Sequence, residues 1–251
     1  MMLTAVILAK NEARNLPACL KSLQFTDQIL VIDDNSADQT VQIAKKHGAR
    51  AITHPLSGDY AAQHNFAISA VKSGWILFVD ADERVSQPLA AEITQAITRI
   101  EYTGYYLRRL DQLWGRQLHY GDTGRVWLLR LARKGAGQWS GRVHETWNII
   151  GRTKRLKSPL DHLPHPSVVD FLHRINFYST LRAEELQTQG KKSSLVQIIF
   201  YPLFKFLRLY ILSLGFLDGI QGFIHAMMMA FYSFLVRGKL WLLSKDIPGH
   251  Q

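Results

Sequence analysis

The segment Trp75–Glu83, which reads WILFVDADE, joins five consecutive apolar residues to a short acidic run. An apolar run of this length that ends in polar residues predicts a buried β-strand over Trp75–Val79. Asp80 and Asp82 then stand two residues apart where that strand ends. Helix capping accounts for single acids at such positions, but it does not explain two carboxylates at this spacing.

Short apolar runs and helical patterns alternate around this segment. The apolar runs predict three further strands, over Thr4–Ala9, Gln28–Ile32 and Ala49–Thr53. The helical patterns predict four helices, over Glu12–Leu23, Asp38–His47, Tyr60–Val71 and Gln87–Ile100. This alternation predicts an α/β fold with a mostly parallel sheet flanked by helices on both faces. Ligands of such sheets bind beyond the carboxyl ends of the strands.

Acidic clusters follow three of the four predicted strands. They are Lys10-Asn11-Glu12, Asp33–Asp38 and Asp80–Glu83. Each cluster alone is compatible with helix capping, because Asp, Asn and Ser favour helix starts. Since the carboxyl ends of parallel strands meet at one edge of a sheet, the three clusters together predict a ligand site at that edge.

The pattern changes after residue 101. Short β-like pieces between glycine-rich turns predict added strands and an active-site loop region, and Pro166–Gln189 is predicted to form an amphipathic helix. Two mostly apolar stretches follow, Leu195–Phe216 and Leu217–Val236, each close to the ~20 residues that span a bilayer. Because they contain charged or titratable residues, we expect helices that lie in or dip into the membrane interface, with a buried helical hairpin as the alternative. These residues are Lys205, Arg208, Asp218 and His225.

The charge balance indicates a partner with negative charge. The net charge is +10, and residues 104–157 hold 12 Lys/Arg against 3 Asp/Glu. Phosphate groups and anionic lipid head groups both match this excess, and Arg125, Arg142 and Lys154 are candidate phosphate contacts. Nucleic acid ranks last, because no helix-turn-helix, zinc-finger or RNP pattern accompanies the charge. A solvated basic surface is the plainer alternative.

Two further features narrow the class of protein. The single cysteine, Cys19, excludes an intramolecular disulfide and a cysteine-based zinc cluster. The first residues, MMLTAVILAKNE, have neither the basic start nor the apolar run of a signal peptide, so we expect a protein that is not exported.

Two acids separated by one residue at a strand end suit a divalent cation. A hard cation such as Mg²⁺ takes oxygen ligands, often one or two carboxylates together with phosphate oxygens of a substrate. Such a metal neutralises charge that develops on a diphosphate leaving group. Asp80 and Asp82 therefore predict a metal and diphosphate site.

The order of these motifs resembles that of family 2 glycosyltransferases of GT-A fold. ILAKNE (residues 7–12), VIDDNSAD (31–38) and FVDADE (78–83) carry the resemblance. The later segments GRVHE (141–145), HLPHPS (162–167) and GFLDGIQGF (215–223) resemble a bacterial subgroup typified by lipopolysaccharide-core glucosyltransferases. The resemblance covers nearly the whole chain and implies transfer of a sugar from a nucleotide-sugar donor.

The resemblance implies roles for the residues at the first two strand ends. Glu12 and the backbone near Ala9 would face the nucleotide. Asp33 would hydrogen-bond the base, most simply the N3–H of uracil, and Asp34 would lie beside it. A UDP-sugar is therefore the expected donor.

The resemblance also implies a metal site. Asp80 would contact the ribose or the metal, and Asp82 would bind Mg²⁺ or Mn²⁺ through the donor diphosphate. His162 is a candidate third metal or diphosphate contact, because GT-A enzymes often add a histidine late in the chain. It lies in an extended segment stiffened by Pro164 and Pro166.

The catalytic base is less directly implied. Many relatives carry a Glu-Asp pair followed by a Gln-x-x-Arg-Trp motif, and this chain has neither, which argues against a processive polymerase. Glu145 is the best remaining candidate for the base, and His144 is its competitor. An inverting transfer needs a carboxylate or an imidazole to take the proton of the acceptor hydroxyl.

The function implied is that of an inverting glycosyltransferase with a lipid-linked or lipopolysaccharide-core acceptor, at the cytoplasmic face of a bacterial inner membrane. We expect a catalytic domain over residues 1–190, in which residues 1–100 bind the nucleotide-sugar and residues 101–190 hold the acceptor and the base. Residues 191–251 would form a membrane-associated helical tail. The alternatives are a sugar nucleotidyltransferase and a non-catalytic membrane scaffold. The loop after the first strand contains no glycine, which disfavours the former.

Overall fold

A computed structural model of the chain describes residues 1–124, 126–141, 145–164 and 167–245. The chain forms two compact units. The first, here called the sheet unit, comprises residues 1–109 and 126–162. The second, the helical unit, comprises residues 110–125 and the residues that follow 162.

The sheet unit begins with the four predicted strands, whose bounds lie within one residue of the prediction. They are β1 (Leu3–Ala9), β2 (Gln28–Asp33), β3 (Arg50–Thr53) and β4 (Trp75–Phe78). They pair in parallel in the order β3-β2-β1-β4, with Ala9 opposite Asp33. This register brings the carboxyl ends of β1 and β2 to the same level of the sheet, as predicted.

Later strands extend the sheet beyond β4, mostly in antiparallel pairs. They are β5 (Glu83–Val85), β6 (Gly104–Leu113), β7 (Arg116–Gln117), β8 (Val126–Arg133), β11 (Thr153–Arg155) and β12 (Leu160–His162). A separate ribbon pairs β9 (Gly137–Ser140) with β10 (Thr146–Ile149). The full order, β3-β2-β1-β4-β8-β6-β12-β5, confirms the α/β class with a mixed sheet whose N-terminal half is parallel.

Helices of the sheet unit follow the predicted order but are shorter than predicted. They are α1 (Leu16–Ser22), α2 (Thr40–Lys46), α3 (Tyr60–Ala70) and α4 (Gln87–Ala96). The largest difference is at α1, which begins four residues after Glu12. Residues 12–15 instead form a loop, in which Glu12 N–H donates to Thr40 Oγ1 (2.8 Å) and Ala13 N–H to Asp38 Oδ2 (3.1 Å).

Apolar side chains cover both faces of the central strands. On one face, Ile7 and Leu77 belong to a cluster that includes α1 and α4 residues such as Leu20 and Ile93. On the other face, Val6, Ile76 and Phe78 belong to a cluster with α3 and the β9–β10 ribbon. Alternate residues of one strand point to opposite faces, so a continuous apolar run such as 75–79 is what a sheet covered on both sides requires.

The helical unit contains three long helices. They are α5 (Val168–Thr188), α6 (Leu195–Leu207) and α7 (Gly219–Leu243), with a π-helical turn over Arg208–Leu212 and a 3₁₀ turn over Gly215–Asp218. Two segments, Leu195–Leu212 and Gly215–Leu243, are long and apolar enough to cross a membrane. The predicted division at residue 190 differs from the compact units, because Ala183 and Leu186 of α5 pack with Val236 and Leu240 of α7.

The turn between α6 and α7 is organised by a buried carboxylate. Asp218 is buried, and its carboxylate accepts the N–H groups of His119 (3.1 Å) and Tyr120 (2.9 Å). A Cβ at Gly222 would overlap the carbonyl oxygen of Gly215, so these two glycines permit a close backbone approach. The segment GFLDGIQGF is therefore a compact turn built around Asp218.

We expect Asp218→Ala to lower the free energy of unfolding by about 2–3 kcal/mol, because two N–H groups lose their hydrogen bonds to a buried carboxylate. Asp218→Asn should cost less, since its amide oxygen still accepts. Urea unfolding of the detergent-solubilised chain, followed by far-UV circular dichroism, measures both. Glu184→Ala on the exposed side of α5 is the control. Equal stability of Asp218→Ala and this control would contradict the assignment.

Candidate functional site

The loops after β1 and β2 are joined by hydrogen bonds. Asn11 N–H donates to Ser36 Oγ (2.9 Å), and Asn11 Oδ1 accepts Ala37 N–H (2.8 Å). Asn11 and Asn35 have φ angles of 55° and 50°, in the left-handed region that Asn tolerates better than most residues. The two loops therefore form one fixed rim at the carboxyl end of the parallel sheet.

Two neighbouring carboxylates occupy this rim in different environments. Asp33 is buried, and its Oδ2 accepts Ser36 N–H (3.2 Å). Within the described part of the chain, its buried Oδ1 has no hydrogen-bond partner. Both carboxylate oxygens of Asp34 have partners, because Oδ1 accepts Leu56 N–H (2.8 Å) and Oδ2 pairs with Lys10 Nζ (2.9 Å). A buried carboxylate oxygen without a donor is costly, so Asp33 is suited to accept an N–H from a ligand.

The pKa of Asp34 is consistent with this arrangement. Burial by itself raises the pKa of its carboxyl, but the Leu56 N–H and the Lys10 ammonium outweigh burial and lower the pKa below its ordinary value. Asp34 is therefore a charged structural residue of the rim at neutral pH.

The other two rim residues singled out in the sequence also have internal partners. The carbonyl oxygen of Ala9 accepts Asp34 N–H (2.8 Å). The Glu12 carboxylate accepts Asn15 Nδ2–H (2.8 Å). Both lie on the rim as expected.

The carboxylate of Asp80, just beyond β4, is held by an arginine. Arg130 on β8 donates to Asp80 Oδ1 (3.2 Å) and Oδ2 (2.5 Å), and it also contacts Glu83 Oε1 (3.4 Å). Arg130 is buried. Two parallel N–H···O bonds of this kind fix both position and orientation, so Arg130 sets the direction in which the Asp80 carboxylate points.

Glu83 completes the buried part of this cluster. It is fully buried and its Oε2 accepts Asp80 N–H (2.9 Å). Burial raises the pKa of the Glu83 carboxyl to about 7, against the opposing effect of Arg130. For Asp80, burial also acts to raise the pKa, but Arg130 outweighs it and lowers the pKa below its ordinary value. Asp80 thus carries the negative charge, whereas Glu83 titrates near neutral pH.

Asp82 and His162 meet on the other side of the cluster. β12 pairs with β5 so that His162 lies opposite Glu83, and His162 Nε2 comes within 3.5 Å of Asp82 Oδ2. His162 is buried. Among the described residues, no group of three His, Cys, Asp or Glu side chains is placed to hold a metal ion. An imidazole nitrogen and a carboxylate at this separation match two ligands of a divalent ion whose remaining ligands are oxygens from a substrate or water.

The β9–β10 ribbon positions Glu145. Trp139 and Trp147 lie opposite each other in the ribbon and stack at 5.5 Å between ring centroids. Asn65 of α3 fixes the ribbon by donating to Trp139 O and accepting Trp139 N–H, both at 2.9 Å. Glu145 directly precedes β10 and lies close enough to Arg130 to interact with it electrostatically.

Arg130 lies among several acids of this cluster. Burial acts to lower the pKa of Arg130, but Asp80, Glu83 and Glu145 outweigh it and raise that pKa. Although far apart in sequence, the carboxylates of Asp80 and Glu145 both lie within electrostatic reach of Arg130.

Several candidate residues lie elsewhere. His144, the competing base, lies outside the described residues, as do Arg125 and Arg142, two candidate phosphate contacts. Lys154, the third such candidate, stands over the ring of Tyr102 at 5.3 Å. Trp139 and Trp147 are buried in the core.

Sequence reasoning missed Arg130 and His64. Arg130 is the only charged residue in the apolar run VWLLRLA (residues 126–132). Because arginine is rarely buried unless it is paired, a single charge in a buried strand indicates an acidic partner. His64 stacks on Trp139 at 4.0 Å, and burial lowers its pKa to about 4. Its position within the helical run of α3 gave no such signal.

The chain has clear relatives. A family model described as glycosyl transferase family 2 matches residues 4–172. An uncharacterized glycosyltransferase of Rickettsia typhi is 30% identical over 256 residues, covering 96% of this chain and 87% of the relative. The lipopolysaccharide core biosynthesis glycosyltransferase LpsC of Rhizobium meliloti is 31% identical over 250 residues, covering 95% and 92%. The crystal structure of S. aureus TarS 1–349 shares the fold, with a TM-score of 0.51, 14% identity, and coverage of 98% of this chain and 92% of that one.

We expect Arg130→Met to lower the free energy of unfolding by about 2–3 kcal/mol, because the buried Glu83 and the partly exposed Asp80 lose charged hydrogen bonds. The double change Arg130→Met with Glu83→Gln should recover part of this loss, since one acid is then neutral. Urea unfolding of the full chain in detergent measures both. Arg14→Met, on the exposed surface, should stay within about 0.5 kcal/mol of the parent. A single change at Arg130 that matched this control would refute the role.

Proposed function

The chain belongs to glycosyl transferase family 2, and from that premise we propose that this glycosyltransferase moves a sugar from a UDP-sugar, with inversion, to a lipid-linked or lipopolysaccharide-core acceptor. Family membership favours this reaction over the nucleotidyl transfer considered above. The observation that carries the proposal is the buried Asp33 carboxylate, with one oxygen lacking a donor, on the same sheet edge as Asp80 and Asp82.

The rim provides the nucleotide side of the site. Asp33 Oδ1 would accept the N3–H of uracil, which supplies the donor that this oxygen lacks. Asp34 and Lys10 would hold the loop beside the base through their ion pair. Ala9 and Glu12 would face the nucleotide from the joined loop.

Asp82 and His162 would hold a Mg²⁺ or Mn²⁺ ion. They are the better pair among the three expected ligands, because Arg130 engages both oxygens of Asp80. When bound, the ion would neutralise the charge that develops on the leaving diphosphate. Asp80, oriented by Arg130, would then contact the ribose.

Glu145 would act as the general base. As the acceptor hydroxyl oxygen attacks the anomeric carbon, the bond from that carbon to the diphosphate breaks and UDP leaves. Glu145 takes the proton that the hydroxyl releases. Its electrostatic interaction with Arg130, which binds Asp80, supports this role.

The acceptor is inferred from the helical unit and from a relative. Two segments of that unit are apolar and long; Lys191 and Lys192 precede the first, and Arg237 lies within the second. LpsC, which matches nearly the whole chain, is named for lipopolysaccharide core biosynthesis. Both favour an acceptor presented at a membrane, and a nucleotide-sugar made in the cytoplasm places the reaction at the cytoplasmic face.

We expect UDP to bind at least tenfold more tightly with Mn²⁺ than without it. Asp82→Asn should remove this difference, whereas Asp33→Asn should weaken binding with and without metal, because it disrupts the contact with the base. Isothermal titration calorimetry of the detergent-solubilised chain measures each affinity. Glu101→Gln, at an exposed position, is the matched control. Metal-independent binding that survives Asp82→Asn and Asp33→Asn unchanged would refute this donor site.

We expect Glu145→Gln to lower transfer by ~10²–10⁴-fold while UDP affinity stays within a few-fold, because the change removes basicity and keeps shape. Release of UDP from the bound UDP-sugar, with envelope lipids of a strain lacking this enzyme as acceptor, measures transfer. His144→Ala is the matched comparison. Full turnover of Glu145→Gln together with loss of turnover in His144→Ala would assign the base to His144.

A further inference from the structure

α6 exposes apolar side chains along its whole length. None of its residues is buried. Val196, Phe200, Leu203 and Leu207 form one stripe at helical spacing, with exposed fractions of 63%, 56%, 51% and 40%. The segment Leu195–Leu212 has 18 residues and is about 27 Å long, close to the ~30 Å hydrocarbon thickness of a bilayer. Length alone therefore permits a transmembrane span.

The turn that follows this segment is tied to a polar part of the same unit. Gly121 N–H donates to Ser213 O (3.0 Å), and Arg116 donates to Leu217 O (3.3 Å). The Asp218 carboxylate adds the bonds from His119 and Tyr120. Residues 116–121 belong to the segment that enters from β6 and leaves into β8. In a spanning hairpin this turn would lie across the membrane from the residues that hold it.

The middle of the apolar segment is also tied to that polar part. Lys205 Nζ lies 3.3 Å from Asp122 Oδ2, and His225 Nδ1 of α7 lies 3.9 Å from Asp122 Oδ1. A spanning α6 would carry the Lys205–Asp122 pair to the centre of the bilayer. Charged residues at that depth each cost roughly 2.5–3.5 kcal/mol on insertion scales.

The rest of α7 is packed against α5. Lys239 Nζ donates to Asn176 O, Ser179 Oγ and Thr180 Oγ1 at 2.7–2.8 Å, and an apolar cluster continues the contact to the ends of both helices. The exposed side of α5 carries several charges, at Arg174, Arg182, Glu184 and Glu185. If α7 crossed the bilayer, α5 and these charges would have to cross with it.

We infer that α6 and α7 insert into one leaflet of the membrane and do not cross it. α6 lies in the membrane plane with its exposed stripe among the acyl chains, and α5 and residues 110–125 stay on the aqueous side. Exposed basic residues beside α6, at Lys191, Lys192 and Arg208, match anionic head groups. Lys205 and Lys239 do not contribute, since their partners lie inside the unit. This inference rests on the membrane attachment proposed above.

Depth measurements on α6 test the inference. Cysteine is placed singly at positions 196, 200, 203 and 207 of the full chain, labelled with a nitroxide, and bound to vesicles of phosphatidylethanolamine and phosphatidylglycerol. Power saturation with oxygen and a nickel chelate then gives the depth of each label. Cys19 can remain, because it is fully buried and burial raises the pKa of its thiol to about 12. The parent chain should therefore take up no label, and Lys192→Cys provides the aqueous reference.

In the one-leaflet arrangement, the four labels lie about 5–10 Å below the head groups and at similar depths. In a spanning helix, seven residues at 1.5 Å each would place the label at 203 about 10 Å deeper than the label at 196. That second result overturns the inference and leaves the proposed attachment intact. A parent chain that fails to float with the vesicles overturns the attachment, and the inference with it. Calorimetry with UDP remains the separate test of the sugar transfer.

Discussion

The candidate site depends on the charge of one buried guanidinium. Arg130 lies within electrostatic reach of the carboxylates of Asp80, Glu83 and Glu145. In a buried setting, acids so close together would mostly be protonated without it. With Arg130 present, the Asp80 carboxylate stays charged and points in a fixed direction. The fully buried Glu83 carboxyl binds a proton more readily, because burial raises its pKa. The guanidinium thereby separates the acids into one that stays charged and one that titrates near neutral pH.

A second constraint is the set of hydrogen bonds that joins the loop after β1 to the loop after β2. Their backbone N–H groups are bound by side chains of the opposite loop, such as Ser36 and Thr40, so neither loop moves independently. α1 starts late for a separate reason, because a helix that began at Glu12 would place Pro17, which has no N–H, in its interior. The residues just before Leu16 therefore belong to the rigid rim and not to the helix. Rigid positioning of this kind favours ligand binding, because less order has to be created when the ligand arrives.

Features with a local signal in the sequence were predictable, and features that depend on distant pairing were not. The apolar run 75–79 identified β4 within one residue, because a strand covered on both faces needs no partner to be recognised. β5 and β12 have three residues each, too few to show a period, yet their pairing brings His162 to Asp82. His162 was proposed only through a resemblance. Arg130 pairs with an acid fifty residues away, and Lys239 with a different helix. Sequence shows such charges, but only the fold shows which of them face inward.

Only some of the basic residues of the chain are available to an anionic partner. The net charge of +10 suggests an electrostatic attraction to anionic partners over the whole surface. Several of the cations nevertheless have internal partners: Arg130 balances acids, Lys10 pairs with Asp34, and Lys205 pairs with Asp122. Within the helical unit, this pairing leaves α6 with an outer surface that is mostly apolar. In the proposed attachment, the hydrophobic effect, at roughly 25 cal/mol per Å² buried, would therefore supply most of the drive toward a membrane, and the exposed lysines would mainly orient the surface on it.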